Sequence, residues 1–162
     1  MDNNLDDIDL KILEVLQDNS RLTTKELAAK VNLSTTPVYE RVKRLESEGY
    51  IKKYVAVLDA EKLNMGFMVF VNIELSKQTL IDKKEFVNIV MDIPEVMECY
   101  NIAGKSDYLL KIHAPNMRYY REFVLEVLGR IPSVGHVESI FVMEEAKHST
   151  MLPLIQHDSK RL

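Results

Sequence analysis

The spacing of apolar residues changes part-way along the chain, and this change divides the sequence into two kinds of structure. Near the start, Leu5, Ile8, Ile12 and Leu16 recur in steps of three and four, which predicts an amphipathic helix. From Phe67, the segment FMVFVNIEL is apolar at alternate positions, which predicts a strand. A length of 162 residues suits two small domains. We therefore expect a helical domain over 1–59, a linker over 60–66, a second domain over 67–148 and a polar tail over 149–162.

The first domain is expected to contain three helices followed by a strand. Thr23 and Glu26 have the spacing of a capping box, which begins the second helix. Ser34 is a natural N-cap for a third helix, and Gly49 is a plausible residue to end it. The segment YIKKYVAVL (50–58) then favours a strand.

The second domain is predicted to follow the order strand, helix, strand, strand, helix, strand. The expected strands cover 67–75, 96–102, 108–114 and 137–145, with one helix ending before Pro94 and another running from about Asn116 to Ile131. This order is the split β-α-β arrangement of ferredoxin-like folds, so the fold class is α+β. Both helices cover one sheet face, and a partner subunit is the simplest cover for the other.

Charge is distributed unevenly along the chain. The net charge is −4, yet residues 20–53 hold eight basic and four acidic side chains, a local charge of +4. A local basic region in an acidic protein is compatible with contacts to DNA phosphates and equally with a solvated helix surface. The acidic N-terminus is unlike a signal peptide and no apolar run is long enough to span a membrane, so we expect a cytoplasmic protein. The single Cys99 is expected to be a small buried residue on a strand.

The third predicted helix has the composition of a recognition helix in a helix-turn-helix. With Val38 directed to the core, small polar side chains lie near the start of the opposite face and basic ones lie further along. The first group is placed to approach base edges and the second to neutralise phosphates. The alternative to DNA binding is that Ser34 only caps the helix and that the basic side chains only form a solvated helix surface. The candidate DNA-binding residues are Ser34, Thr35, Thr36, Tyr39, Glu40, Arg41, Lys43 and Arg44.

These residues lie within a longer series of motifs: LD-x-ID-x-x-IL, NSR-L-T, ELA, V-x-LS-x-x-P-V and RV-x-RLE-x-x-G-x-I, followed in the second half by GKSDYLLKI and RIPSVGHVESIFVMEEAK. This series resembles the Lrp/AsnC family, the leucine-responsive and asparagine-responsive regulators. The resemblance covers about residues 5–148. It implies a DNA-binding transcription regulator whose second domain forms dimers, often assembles further to octamers, and in many members binds an amino-acid effector between such domains.

The same resemblance places the effector pocket at the loop from Gly104 to Asp107. Chemistry is compatible with this placement, because backbone amides of such a loop can hold a carboxylate and an aspartate can pair with an ammonium group. A plain β-turn is the alternative reading. The candidate effector-binding residues are Tyr100, Ile102, Ala103, Gly104, Ser106 and Asp107, with the amides of Lys105 and Ser106 as carboxylate donors. Ala103 and Ser133 depart from residues frequent in the family, which bears on which ligand fits.

Two other functions fit the resemblance less well. A regulatory subunit that binds an amino acid without binding DNA would not need a basic recognition helix. A haem-pathway decarboxylase subunit would need histidines around a tetrapyrrole, but the four histidines show no ligand spacing (His113, His136, His148 and His157). The sequence therefore favours a regulator with no enzymatic activity, no metal and no cofactor other than an amino-acid effector.

Overall fold

The computed structural model describes residues 5–154, which form two compact units. One unit consists of the described parts of Met1–Val57 and Lys147–Leu162, and the other is Leu58–Ala146. The chain thus passes through the second unit and returns to the first. Among the described residues, no helix is long and apolar enough to cross a membrane.

The first unit is a three-helix domain. Its helices are α1 (Asp7–Asp18), α2 (Thr24–Lys30) and α3 (Thr35–Ser47). They bury a small apolar core made of Ile12, Leu27, Ala28, Val38 and Leu45. The helices expected from the three-and-four spacing are confirmed, because each helix directs its apolar stripe toward this core.

Caps define where these helices begin and end. The predicted capping box of Thr23 and Glu26 is present, with each residue bonding the backbone N–H of the other. Ser34 occupies the N-cap position of α3, as predicted, but its hydroxyl makes no capping hydrogen bond. Gly49 follows the C-cap with a φ of +79°, a left-handed conformation that favours glycine.

The prediction of a strand over residues 50–58 is wrong. Among the described residues this segment pairs with no strand, because no neighbouring edge satisfies its backbone groups. A hydrogen bond of 3.0 Å from the Tyr54 hydroxyl to Glu46 holds it against the end of α3. Burial and the Glu46 carboxylate raise the pKa of Tyr54 to about 12. The predicted linker that follows contains a turn at residues 60–64, in which Asn64 has a φ of 55°.

The second unit has the predicted ferredoxin-like order. It comprises β1 (Phe67–Leu75), α4 (Leu80–Met91), β2 (Val96–Asn101), β3 (Tyr108–Ala114), α5 (Met117–Glu126), a short 3-10 turn (Leu128–Arg130) and β4 (Val134–Phe141). The strands form one antiparallel sheet in the order β2-β3-β1-β4. The α+β class is therefore confirmed.

The last helix and the last strand of the second unit differ most from the expectation. The last helix breaks after Glu126, and the 3-10 turn replaces its final part before Pro132. Strand β4 begins at Val134 and ends at Phe141, although the alternating pattern indicated residues 137–145. A register shift at Glu74 and Leu75 pairs Leu75 with Val134 and so brings the earlier residues into the sheet.

The two faces of the sheet have different surroundings. One face is covered by α4 and α5. On this side the ring centroids of Phe86 and Tyr108 are 4.7 Å apart, and Val71 is completely buried. The other face is not covered by the helices of the second unit. Its partly exposed side chains include Met68, Phe70, Leu109, Lys111, His113 and Ile140. The apolar members of this open face agree with the expectation that something else must cover it.

The described part of the tail lies against α1. The Gln17 side chain donates to the Leu152 carbonyl at 3.2 Å and accepts from the Leu152 N–H at 2.6 Å. Thr150, Leu152 and Leu154 also line an apolar groove next to Leu13. The tail is thus part of the first compact unit as far as Leu154, and the remainder of the predicted tail, 155–162, lies outside the described residues.

Candidate functional site

Helix α3 presents an exposed polar face to solvent. Its N-terminal turn is preceded by a tight turn in which Asn32 has a φ of 55° and Leu33 donates to the Ala28 carbonyl at 3.1 Å. This turn joins α2 to α3 in the manner of a helix-turn-helix. Six of the eight predicted DNA-binding residues are exposed, namely Ser34, Thr35, Thr36, Tyr39, Glu40 and Lys43.

Lys43 is the exposed cation of this face. Its ammonium nitrogen lies 5.8 Å from the Tyr39 ring centroid and 3.3 Å from a Glu46 carboxylate oxygen. Both contacts are exposed, so each is weak in water and is readily exchanged for a phosphate. Further exposed cations of the first unit include Arg21, Lys25, Lys30, Lys52 and Lys53.

Arg41 and Arg44 are placed differently from the other six candidates. Both are only partly exposed and form ion pairs with Asp9, the third residue of α1. The distances are 2.7 Å from Arg41 Nη1 to Asp9 Oδ1 and 2.5 Å from Arg44 Nη2 to Asp9 Oδ2. Arg41 Nη1 also lies 2.7 Å from Asp6 Oδ2, and Asp6 and Asp9 cap each other at the start of α1.

Asp9 is 1% exposed, and its surroundings keep it ionised. Burial opposes the charge, but hydrogen bonds from Arg44, Arg41 and the Asp6 N–H outweigh it and lower the pKa of Asp9 below its ordinary 3.8. The same hydrogen bonds raise the pKa of both guanidinium groups. Sequence reasoning assigned no functional role to Asp9. The available signal was an acidic residue three positions before the core residue Ile12, which places it on the buried side of α1.

The predicted effector loop connects β2 to β3 and is anchored to the sheet. Ile102 N–H donates to the Asp107 carbonyl at 2.9 Å, and Asp107 N–H donates to the Ile73 carbonyl at 2.9 Å. Ala103, Gly104 and Lys105 are exposed between these anchors. The open side of the loop is therefore backbone that a ligand can approach.

The glycine of this loop needs its conformational freedom. Gly104 has a φ of +154°, and a Cβ placed there would have no atom within 4 Å. Backbone strain, rather than a clash, is what a larger residue would introduce. Tyr100, at the end of β2, is half exposed and donates to Glu98 at 2.6 Å. This hydrogen bond and the adjacent negative charge raise the pKa of its hydroxyl.

Two predicted effector residues point inward. Ser106 and Asp107 are each 7% exposed. The Asp107 carboxylate accepts the Leu75 N–H at 2.9 Å, and Lys83 Nζ on α4 lies 3.9 Å from its other oxygen. Asp107 therefore connects the end of β1 to the loop, and its carboxylate retains further acceptor capacity for an ammonium group.

Ser133 lies at the start of β4, close to the same end of the sheet. It is 3% exposed, and its hydroxyl is a buried polar atom without a hydrogen-bond partner among the described residues. Its carbonyl accepts the N–H and hydroxyl of Ser76 at 2.9 and 3.2 Å. An unsatisfied hydroxyl is uncommon in a folded interior, which singles out this position.

The remaining singled-out residues have local roles. Cys99 lies partly buried on β2 against the core, and burial raises the pKa of its thiol. His113 Nδ1 lies 2.9 Å from the Met65 carbonyl. Within residues 5–154, no group of three or more His, Cys, Asp or Glu is arranged to hold a metal ion, and His157 lies outside that range.

Comparison with known proteins agrees with both units. The family of winged helix-turn-helix DNA-binding domains matches residues 5–52, and the Lrp/AsnC ligand binding domain matches residues 68–152, more than half of the chain. The chain belongs to the Lrp/AsnC family. It is accordingly a transcription regulator with a DNA-binding and a ligand-binding domain.

Individual members of the Lrp/AsnC family match over nearly the whole chain. The Bkd operon transcriptional regulator of Pseudomonas aeruginosa is 41% identical over 150 residues, covering 93% of this chain and 98% of that protein. The leucine-responsive regulatory protein of Escherichia coli is 40% identical over 148 residues, covering 91% and 90%. A transcriptional regulator of Neisseria meningitidis, solved as a complex with L-Met, matches with a TM-score of 0.89 at 38% identity, covering 92% and 96%. All three of these relatives are named as regulators.

Proposed function

We propose that this chain binds operator DNA through the exposed face of α3 and that an amino acid bound at the loop after β2 modulates that binding. The observation that carries the first half is the cluster of exposed polar and basic side chains on α3. Thr35 and Thr36 stand at its first turn, where base edges are approached, and Lys43 stands two turns further on, beside the phosphates. A dimer would present two such helices to successive major grooves, so we expect an imperfect palindrome with A/T-rich flanks that bend easily.

The test of DNA binding uses fragments of about 30 base pairs selected from a random library by the full-length protein. Wild-type protein should enrich a palindromic sequence and bind it at least a hundredfold more tightly than scrambled DNA at the same salt concentration. Lys43→Gln should weaken binding to both and reduce the slope of log K against log salt by about 0.9. Lys11→Gln, on α1 and paired with Glu14 at 2.7 Å, is the matched control and should leave the slope unchanged. Failure to enrich any sequence would refute DNA binding as the function.

The second half of the proposal rests on the exposed backbone of residues 103–105 and on the L-Met complex of the Neisseria relative. Gly104 and Lys105 are exposed, so the loop with its amides at Lys105 and Ser106 suits a carboxylate, while the Asp107 carboxylate suits an ammonium group. In this arrangement Tyr100 and Ile102 line the side-chain slot. The unsatisfied Ser133 hydroxyl lies at the same end of the sheet. A partner subunit would complete the site.

Calorimetry of the full-length protein against the twenty amino acids tests this site. One or a few should bind to wild type, and Gly104→Val should abolish that binding, since the new side chain strains a φ of +154° in the loop that would hold the carboxylate. Gly129→Ala lies in the 3-10 turn, outside the loop, where its Cβ would lie 3.1 Å from the Val124 carbonyl oxygen, so it is the control for backbone crowding away from the site and should still bind the amino acid. Asp107→Asn keeps an oxygen for the Leu75 N–H, so it should lose ligand binding while remaining folded. If the wild-type protein bound none of the twenty amino acids, the proposal of an amino-acid effector would lose its support.

Such an effector changes operator binding only through unequal affinity for two states of the regulator. The affinity of the protein for operator DNA should therefore change when the amino acid is added. Operator DNA should change the affinity of the protein for the amino acid by the same factor. Equal factors measured by titration in both directions are the expected result.

A further inference from the structure

We propose that Asp9 is a positioning residue for DNA recognition, which fixes the rotation of α3 through Arg41 and Arg44, and that these two arginines do not contribute phosphate contacts. The inference rests on the proposed DNA-binding role of α3. It assigns a role to an α1 residue that lies on the buried side of the domain, away from the exposed face of α3.

The local charge balance is the first argument. Arg41 and Arg44 contribute two positive charges, and the carboxylates within ion-pair distance are Asp6, Asp9 and Glu48. Two positive and three negative charges leave this side of α3 with a net charge of −1. A phosphate approaching the arginines would meet this negative charge and would have to compete with pairs of 2.5 to 2.7 Å. The exposed Lys43 carries no comparable restraint, because its contacts to Glu46 and to the Tyr39 ring are exposed and weak.

Geometry is the second argument. Taking Val38 as the inward direction, Arg41 and Arg44 lie roughly 60° and 120° to one side, while Thr36, Tyr39 and Lys43 lie roughly 100° to 160° to the other. Apolar packing at Val38 and Leu45 is not directional, so by itself it tolerates small rotations of the helix. Two guanidinium groups one turn apart, bonded to separate oxygens of one buried carboxylate, fix that rotation.

A small rotation would be enough to disturb recognition. Side-chain atoms lie about 6 Å from a helix axis, so a rotation of about 20° moves them by about 2 Å. Hydrogen bonds to base edges require placement within about 0.5 Å. Loss of the Asp9 carboxylate should therefore weaken sequence-selective contacts to base edges more than non-selective contacts to phosphates.

The experiment compares Asp9→Asn with Asp7→Asn, which removes the same charge from an exposed position in the same helical turn. Removal of a negative charge by itself favours binding to any DNA, so Asp7→Asn should bind operator and scrambled DNA equally or slightly more tightly. Asp9→Asn should instead bind the selected operator about tenfold less tightly, with scrambled DNA bound as well as by wild type. Circular dichroism and a thermal melt establish that each variant is folded at the assay temperature.

Two further results keep the inference open to refutation if Asp9→Asn proves poorly folded. Arg41→Lys and Arg44→Lys keep the charge but lose the forked geometry, and each should lower the operator-to-scrambled ratio. Arg41→Gln and Arg44→Gln should leave the salt slope at the wild-type value, whereas Lys43→Gln reduces it. An operator-to-scrambled ratio unchanged in Asp9→Asn, or a slope reduced by about one in either glutamine variant, would overturn the inference. Wild-type selectivity is measured in the same series, so a failure of DNA recognition itself is recognised separately.

Discussion

At the scale of single residues, the clearest feature is the buried carboxylate of Asp9. It is ionised in an interior position because three donors, the Arg41 and Arg44 side chains and the Asp6 N–H, bond to its two oxygens. A buried charge is tolerated only when it is paired in this way, and the loss of one partner is costly for the other. The residue that holds α3 in place is thus also a point at which the stability of the first unit depends on pH.

The first prediction concerns this pH dependence. Because the folded-state pKa of Asp9 lies below 3.8, its stabilisation is fully present well above pH 3.8 and is lost as pH falls through 3.8 toward the lower folded-state value. Asp9→Asn should therefore lower the free energy of unfolding by about 2 kcal/mol at pH 7 and by progressively less below pH 4. Urea unfolding at a series of pH values measures this difference. Asp7→Asn is the control, and a cost for Asp9→Asn that stayed constant down to pH 2 would contradict the prediction.

At the scale of elements, local sequence patterns correctly predicted those features that depend only on residues close together in the sequence. The capping box at Thr23, the end of α3 at Gly49 and strand β1 depend on residues close in sequence, and all three were predictable. The segment 50–58 was not, because a strand requires a neighbour that sequence alternation does not supply. The Asp9 ion pairs join residues 32 and 35 positions apart, so no local pattern indicates them.

The start of β4 provides a second prediction. A Cβ at Gly135 would lie 3.0 Å from both the Cα and the N of Ser76, which are backbone atoms beside the register shift of β1. Gly135→Ala should therefore force the two strands apart and destabilise the second unit by about 1–3 kcal/mol. Denaturant unfolding followed by tyrosine fluorescence measures the cost. His136→Ala, at the exposed position next to Gly135 on the same strand, is the control for a change that adds no atom between the strands.

The tail provides a third prediction at this scale. Gln17 satisfies both backbone groups of Leu152, while the Leu152 side chain is 72% exposed, so the attachment depends on hydrogen bonds more than on apolar burial. Gln17→Ala should speed hydrogen exchange of the Leu152 amide about fivefold and leave exchange in α4 unchanged. Glu14→Ala, whose side chain bonds Lys11 rather than the tail, should leave the Leu152 amide as in wild type. Unaltered exchange in Gln17→Ala would mean that the tail is held by other contacts.

At the scale of the whole molecule, the open face of the sheet is the feature that a single chain leaves unexplained. Antiparallel sheets often face water on one side, but then the exposed side chains are polar. Here Met68, Phe70 and Ile140 lie together on the uncovered face. We propose that a second copy of this chain covers it, in keeping with one recognition helix per chain and with the imperfect palindrome expected of the operator.

The last prediction tests this dimer. Phe70 is central in the open face, opposite Lys111 on β3 and Ile140 on β4. Phe70→Glu should leave the fold intact, because the side chain lies away from the core, yet it should weaken dimerisation at least a hundredfold by placing charges of like sign at a self-complementary interface. Analytical ultracentrifugation across micromolar concentrations measures the change. Leu80→Glu makes the same kind of substitution at a residue of α4 that is 78% exposed, and it should leave the dimer intact. If Leu80→Glu rather than Phe70→Glu produced monomers, the dimer would use the helical layer and not the sheet.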